Sequence, residues 1–195
     1  MDKSLLKLTL DRVVNSRHPE MDEDTRDALE AMLKTKEFDK GDTITYEGET
    51  SKNIFFIGKG MVRQFYYKDD KDITEHFSYE GCIMMAVESL LRDEPTHLIA
   101  EALEPTTLYY ISYDEFIKAT EKHWGLNVFY RKIIEYSLIV TQVKAYSWRF
   151  ETARERYELL SKTHPEVIKR VPLLHIASHL NMTPETLSRV RSGVL

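Results

Sequence analysis

Glu185 and Arg189 stand four positions apart near the end of the chain, a spacing that puts both on one face of a helix. A carboxylate so placed can accept a hydrogen bond from cytosine N4, and a guanidinium can pair bidentately with guanine O6 and N7. The flanking residues suit such a helix: Thr183 is a good N-cap, and Pro184 fits the first turn. Glu185, Ser188, Arg189 and Ser192 then share the outward face, opposite Leu187 and Val190. Thr183, Pro184, Glu185, Thr186, Ser188 and Arg189 form the candidate base-reading segment. Arg191, on another side of the helix, is a candidate phosphate contact. The plainer reading of Glu185 and Arg189 is a surface ion pair worth a few tenths of a kcal/mol.

A reading helix needs a second helix to hold it. Over Leu173 to Ser192, the apolar Ile176, Leu180, Met182, Leu187 and Val190 fall where two crossed helices bury a shared core. Ala177 is small at the closest approach, and Asn181 sits in the turn, where it tolerates the left-handed conformation. This is a helix-turn-helix pattern. Charge agrees: net charge is −8 from Met1 to Ser147 and +3 from Trp148 to Leu195, so nucleic-acid contact is assigned to the tail.

Two other textures precede this segment. From Lys36 to Tyr113, short β-type runs alternate with glycine turns, among them Glu47-Gly48-Glu49, Gly58-Lys59-Gly60 and Glu80-Gly81. Strands so short and regular predict a closed roll. Met21 to Leu33, just before it, reads as a helix with Asp22 as cap. After Gly125 there is neither Gly nor Pro until Pro165, which predicts a long helix. Phe129, Ile133, Tyr136, Val140, Val143, Ser147 and Phe150 recur along it at spacings of four and three, a heptad seam for a partner helix in a homodimer. The alternative is that this face lies on the protein's own core.

The order of roll, long helix and helix-turn-helix resembles the Crp/Fnr regulators over nearly the whole chain. Lys40-Gly41-Asp42, Glu47-Gly48-Glu49 and Gly58-Lys59-Gly60 carry the roll signature. Ile176-Ala177 and Thr183-Pro184-Glu185-Thr186-Leu187-Ser188-Arg189 carry the DNA-reading one. The resemblance implies an α+β protein with an N-terminal double-stranded β-roll (1–118, cyclic-nucleotide-binding-like), a dimerisation helix (119–150) and a helix-turn-helix domain (151–195). It implies a homodimer on two-fold symmetric double-stranded DNA, acting with or against RNA polymerase.

The departures from that family are as informative. Its cyclic-nucleotide binders use a glutamate for the ribose and an arginine for the cyclic phosphate. Here Ala86 and Thr96 stand at those places. A pocket without its phosphate countercharge binds a buried anion poorly, so cyclic AMP is not expected as effector. The candidate effector pocket is Met84, Met85, Ala86, Val87, Thr96 and His97, with Ile139 and Val140 where purine contacts would lie. Many relatives continue into a wing after the reading helix, and no clear wing is expected before Leu195.

Enzymatic and cofactor chemistry finds little support. Cys82 is the only cysteine, so neither a cysteine zinc site nor an iron–sulfur cluster can be built. His76 and His97 do not form the His-x-His pair of a cupin-type metal enzyme, and they are weak candidates as haem ligands. No catalytic residue, metal site or cofactor is assigned. A non-DNA-binding interaction protein with a degenerate helix-turn-helix is the other alternative. With no apolar run near 20 residues and no signal-peptide core, the expected location is cytoplasmic, without a membrane segment.

Overall fold

The computed structural model describes residues 2–194. In chain order the elements are α1 (Lys3–Arg17), α2 (Glu23–Met32), β1 (Lys34–Phe38), β2 (Thr43–Thr45), β3 (Asn53–Lys59), β4 (Met61–Lys68), β5 (Lys71–Tyr79), β6 (Ile83–Met84), α3 (Val87–Arg92), β7 (Ile99–Ala102), β8 (Thr106–Ser112), α4 (Tyr113–Thr120), α5 (Trp124–Phe150), α6 (Ala153–Thr163), α7 (Pro165–Arg170), α8 (Leu173–His179) and α9 (Pro184–Arg191). The expected class, an α+β chain with a β-roll, a long helix and a terminal helix pair, is observed. The strands form two sheets, in the orders β1-β8-β3-β6 and β2-β7-β4-β5. In the first sheet β8 pairs antiparallel with both β1 and β3, setting Leu108 opposite Lys36 and Tyr110 opposite Phe55.

The chain divides into two compact units that do not follow sequence order. One comprises the chain up to Val62 together with Ser78–Tyr136; the other comprises Arg63–Phe77 and everything from Ser137 onward. The middle of the β4–β5 hairpin is therefore grouped with the C-terminal helices, unlike the division expected at residues 118 and 150.

In the first unit, α1 supplies Leu6, Leu10, Val13 and Val14 to a core shared with Ile54, Phe56, Tyr109, Ile111, Phe116, Leu126, Phe129 and Ile133. These four recur on one face of α1, a helix not among those expected from the sequence. Asp2 caps α1, accepting from the amides of Ser4 and Leu5. Asp22 caps α2 as expected, accepting from Thr25 N at 2.8 Å. A second core holds Phe38, Ile57, Val62, Met84, Ala100, Ala102 and Leu108.

The β3–β4 turn requires glycine for two reasons. Gly60 has φ +102°, and a Cβ there would lie 2.8 Å from Thr106 Cα and 2.9 Å from the Pro105 carbonyl oxygen. Gly48 also has a positive φ, +82°, but open space where a Cβ would go. Gly60→Ala should therefore add backbone strain and a clash, costing about 3 kcal/mol or more. Gly48→Ala should add only the strain, about 1 kcal/mol. Denaturant midpoints of the two variants check this; equal losses would mean that the turn can shift away from Thr106.

Candidate nucleic-acid interface

Helices α8 and α9 pack on each other, and α9 also packs on α6. The turn between α8 and α9 is built by backbone bonds: Leu180 N donates to Ile176 O, and Met182 N donates to Ala177 O, both at 3.0 Å. Asn181 takes the left-handed conformation at φ +51°. Thr183 caps α9 by accepting from Thr186 N at 3.1 Å, with Pro184 as its first residue. Ile176, Ala177, Leu180, Leu187 and Val190 are buried. That burial aims Glu185, Ser188, Arg189 and Ser192 outward, and all four are exposed, as is Arg191 on another side. Thr186 is half-buried, its hydroxyl 3.1 Å from that of Thr183, so it belongs to the cap. Glu185 is held below the usual carboxylate range by its own backbone N–H, then by the Thr183 hydroxyl, and least by Arg189. Ionised, it can only accept hydrogen bonds.

Two supports of this pair were not read from the sequence. Arg156 of α6 donates through Nε to Leu180 O at 2.9 Å and through Nη1 to Glu151 O at 2.7 Å, and its Nη2 lies 3.5 Å from Asn181 O. It thus satisfies carbonyls that the end of α8 leaves open. The hairpin Arg63–Phe77 is the other support. Arg63 Nη1 lies 2.6 Å from Asp72 Oδ1 and 2.8 Å from His175 Nδ1. Ser178 Oγ accepts from Thr74 N and donates to Asp72 O, each at 2.9 Å. Nearby, Lys144 Nζ meets Glu75 Oε1 at 2.8 Å, and the His179 ring sits 5.2 Å from that of Phe77. An arginine inside the apolar run Met61-Val62-Arg63-Gln64-Phe65 was the available signal, because a buried charge must find partners.

The seam assigned to α5 is corrected. Phe129 and Ile133 are buried in their own unit's core, so they cannot meet a second chain. Ser147 is buried and donates to Glu151 at 2.5 Å, and Val140 is half-buried. Tyr136 is partly exposed, with the Arg17 guanidinium 3.6 Å above its ring. Beyond Trp124, the most exposed apolar residues of α5 are Leu138 (60%), Ile139 (58%), Val143 (51%), Tyr146 (59%) and Phe150 (70%). At 3.6 residues per turn, the stripe Ile139–Val143–Tyr146–Phe150 lies about a quarter turn from Phe129, Ile133, Val140 and Ser147. Of the expected seam residues, Tyr136, Val143 and Phe150 are exposed.

The candidate effector residues do not converge. Met84 ends β6 and Met85 follows it, and they pack into different cores, Met84 with Ile57 and Leu108, Met85 against the α1 core. Ala86 is buried and Val87 half-buried at the start of α3. Thr96 is buried and occupied by its own loop: its hydroxyl accepts from Leu98 N, its amide donates to Glu49 O, and its carbonyl accepts from Gly48 N. Ser89 likewise joins Ser51 N to Glu94 O. His97 does not line a pocket, since its side chain is 89% exposed. Ile139, given a purine-contact role, is exposed, and it falls with Val140 in the second unit. Among the described residues, no group of three or more His, Cys, Asp or Glu could hold a metal ion. No helix there is long and apolar enough to cross a membrane.

Residues 35–123 match the family described as "Cyclic nucleotide-binding domain". FixK2 from Bradyrhizobium japonicum is similar in structure, with a TM-score of 0.68, 19% identity and coverage of 83% of this chain and 84% of that one. The Thermus thermophilus catabolite activator protein gives a TM-score of 0.59 at 18% identity, over 95% of this chain and 86% of its own. CLP of Xanthomonas campestris, described as a c-di-GMP responsive global regulator, gives 0.68 at 16%, over 89% and 91%. No curated protein matches the chain by sequence. At these identities the likeness is one of fold: a β-roll, a long helix and a terminal helix pair, the order in which the sequence resembled the Crp/Fnr regulators.

His179 on α8 gives a pH test of this unit. Burial pushes it down to about 3, with Lys144, His76 and His164 adding to the effect and a hydrogen bond to the Glu75 backbone opposing it. It is neutral in the folded protein well below pH 6.5, where an unfolded histidine takes up a proton. The unfolded chain then binds the extra proton, so stability should fall as pH drops from about 6.5. At pH 5 the loss from this residue reaches up to about 2 kcal/mol. His179→Phe should flatten the decline between pH 7 and pH 5 in thermal unfolding by that amount. An unchanged slope would mean that His179 titrates normally.

Proposed function

We propose that this chain, with a cyclic-nucleotide-binding-type roll and the Crp/Fnr regulator fold, is a DNA-binding transcription regulator that works as a homodimer. The observation that carries the proposal is α9: capped by Thr183, anchored by Leu187 and Val190, and presenting Glu185, Ser188 and Arg189 to solvent. Such a helix suits a major groove, with its N-terminal half toward the bases. Glu185 accepts from cytosine N4 and Arg189 pairs with guanine, while Arg191 contacts phosphate. The exposed stripe of α5, Ile139, Val143, Tyr146 and Phe150, is the apolar surface that a second copy covers, and it brings two reading helices to half-sites about one helical turn apart. Ala86 in place of an acid and Thr96 in place of a base, with Thr96 already engaged, support an effector other than cyclic AMP. By family resemblance, RNA polymerase is the partner through which DNA binding acts.

Selection from a random duplex pool should return a two-fold symmetric motif; recovery of no motif counts against the reading. On that site, Glu185→Ala and Arg189→Ala should each cost roughly 1–3 kcal/mol and relax preference at one base pair. Arg191→Ala should weaken all sequences alike and lower the salt slope by about one. Uniform weakening by Arg189→Ala would make Arg189 a phosphate contact.

The dimer is checked separately. Ile139→Asp or Val143→Asp puts a charge into the proposed apolar interface, at a cost of several kcal/mol, and should give monomers in light scattering at low micromolar concentration. Ile133→Asp should instead unfold the first unit. Persistence of the dimer in both stripe variants removes α5 as the interface.

A further inference from the structure

Hydrogen bonds at α8 raise the question of why strand residues of the roll are tied to the helix beneath the reading helix. Arg63 is 2% exposed and Thr74 fully buried. The guanidinium carries donors only, so its 2.8 Å approach to His175 Nδ1 requires that nitrogen to be an acceptor, with any ring proton on Nε2. The same Nη1 lies 2.6 Å from Asp72 Oδ1 and 3.3 Å from Thr74 Oγ1, and the guanidinium carbon stacks 3.7 Å above the Phe65 ring. Three residues further along α8, Ser178 bridges two backbone groups of the hairpin, Thr74 N and Asp72 O. His175 and Ser178 thus dock one face of α8 on the hairpin, while Ile176, Ala177 and Leu180 are buried. The outward face of α9 stays exposed, so docking leaves the reading surface open.

We propose that the hairpin Arg63–Phe77 is a working part of the DNA-reading unit, in which Arg63, Asp72 and Thr74 are positioning residues that set α8, and through it α9, by way of His175 and Ser178. This rests on the reading of α9 as the DNA-reading helix. Recognition requires side chains placed to a fraction of an ångström, and a short helix pair gains that rigidity from fixed hydrogen bonds to a neighbouring strand.

The test uses the full chain with Ser178→Ala, which removes both bridges without leaving a buried charge, and Ser178→Thr, which keeps the hydroxyl. Arg63→Met serves as a second variant that removes the charge itself. Two readouts are taken: amide hydrogen exchange, and affinity for the selected duplex at several salt concentrations. Ser178→Ala should speed exchange of α8 and α9 amides while those of β3 and β8 stay unchanged. It should weaken matched DNA roughly tenfold with an unchanged salt slope, because no phosphate contact is lost. Ser178→Thr should recover most of the affinity. Affinity within twofold of the parent in both Ser178→Ala and Arg63→Met overturns the proposal, even if exchange speeds up. A reduced salt slope overturns it too, since the residue would then be a phosphate contact. If the parent chain binds no duplex, the DNA reading itself fails, whereas unchanged exchange in Ser178→Ala refutes the docking independently.

Discussion

A guanidinium taken out of water must be met by acceptors, because the hydration it loses is worth far more than any single hydrogen bond returns. Arg63 imposes that condition on its surroundings. Asp72 answers the charge, Thr74 and His175 supply further acceptors, and the Phe65 ring covers one flat face. Asp72 stands just past the Asp69–Asp70 turn, where both residues take positive φ, so the hairpin must close tightly to bring Asp72 back to Arg63. His175 stands on α8, so satisfying Arg63 also fixes where that helix lies. The burial of one charge couples a turn, a strand pair and a helix.

Lys144 and Glu75 repeat the arrangement nearby. The ammonium meets the carboxylate and also donates to the Glu75 carbonyl at 2.6 Å, with the Trp148 ring 4.6 Å away. Burial lowers the lysine's affinity for its proton, and Glu75 opposes that shift. The second unit thus rests on an apolar centre of short helices and on a polar seam along the hairpin. Such a seam contributes specificity of placement more than net stability.

What could be read from sequence was what local chemistry determines. Asp22 and Thr183 announce helix starts because an N-cap needs only its own next residues, and Asn181 marks a left-handed turn because few side chains tolerate one. The roll followed from strand length and turn spacing. Phe129 and Ile133 were placed on a partner-facing seam because a heptad pattern records which residues repeat, and not what covers them. Phe129 and Ile133 meet the α1 core, and α1 itself had gone unread. Met84 and Met85 were grouped as one lining, although Met84 ends β6 and Met85 lies just beyond it, and they enter different cores. The partners of Arg63 lie 9, 11 and 112 positions away, and no local rule reaches that far.

The hairpin's membership in the second unit bears on how such proteins can recombine. Read along the chain, everything after Phe150 resembles a detachable module that could be exchanged for another reader. In space the unit that holds this module also includes a stretch borrowed from the middle of the roll, Arg63 to Phe77, separated from the module in sequence by some seventy residues. A chimera cut after α5 would bring in an α8 whose positions for His175 and Ser178 had never met this Arg63 and Thr74. Inheritance of a new reader in this fold therefore requires the hairpin and α8 to change together, as two distant sites under one selection.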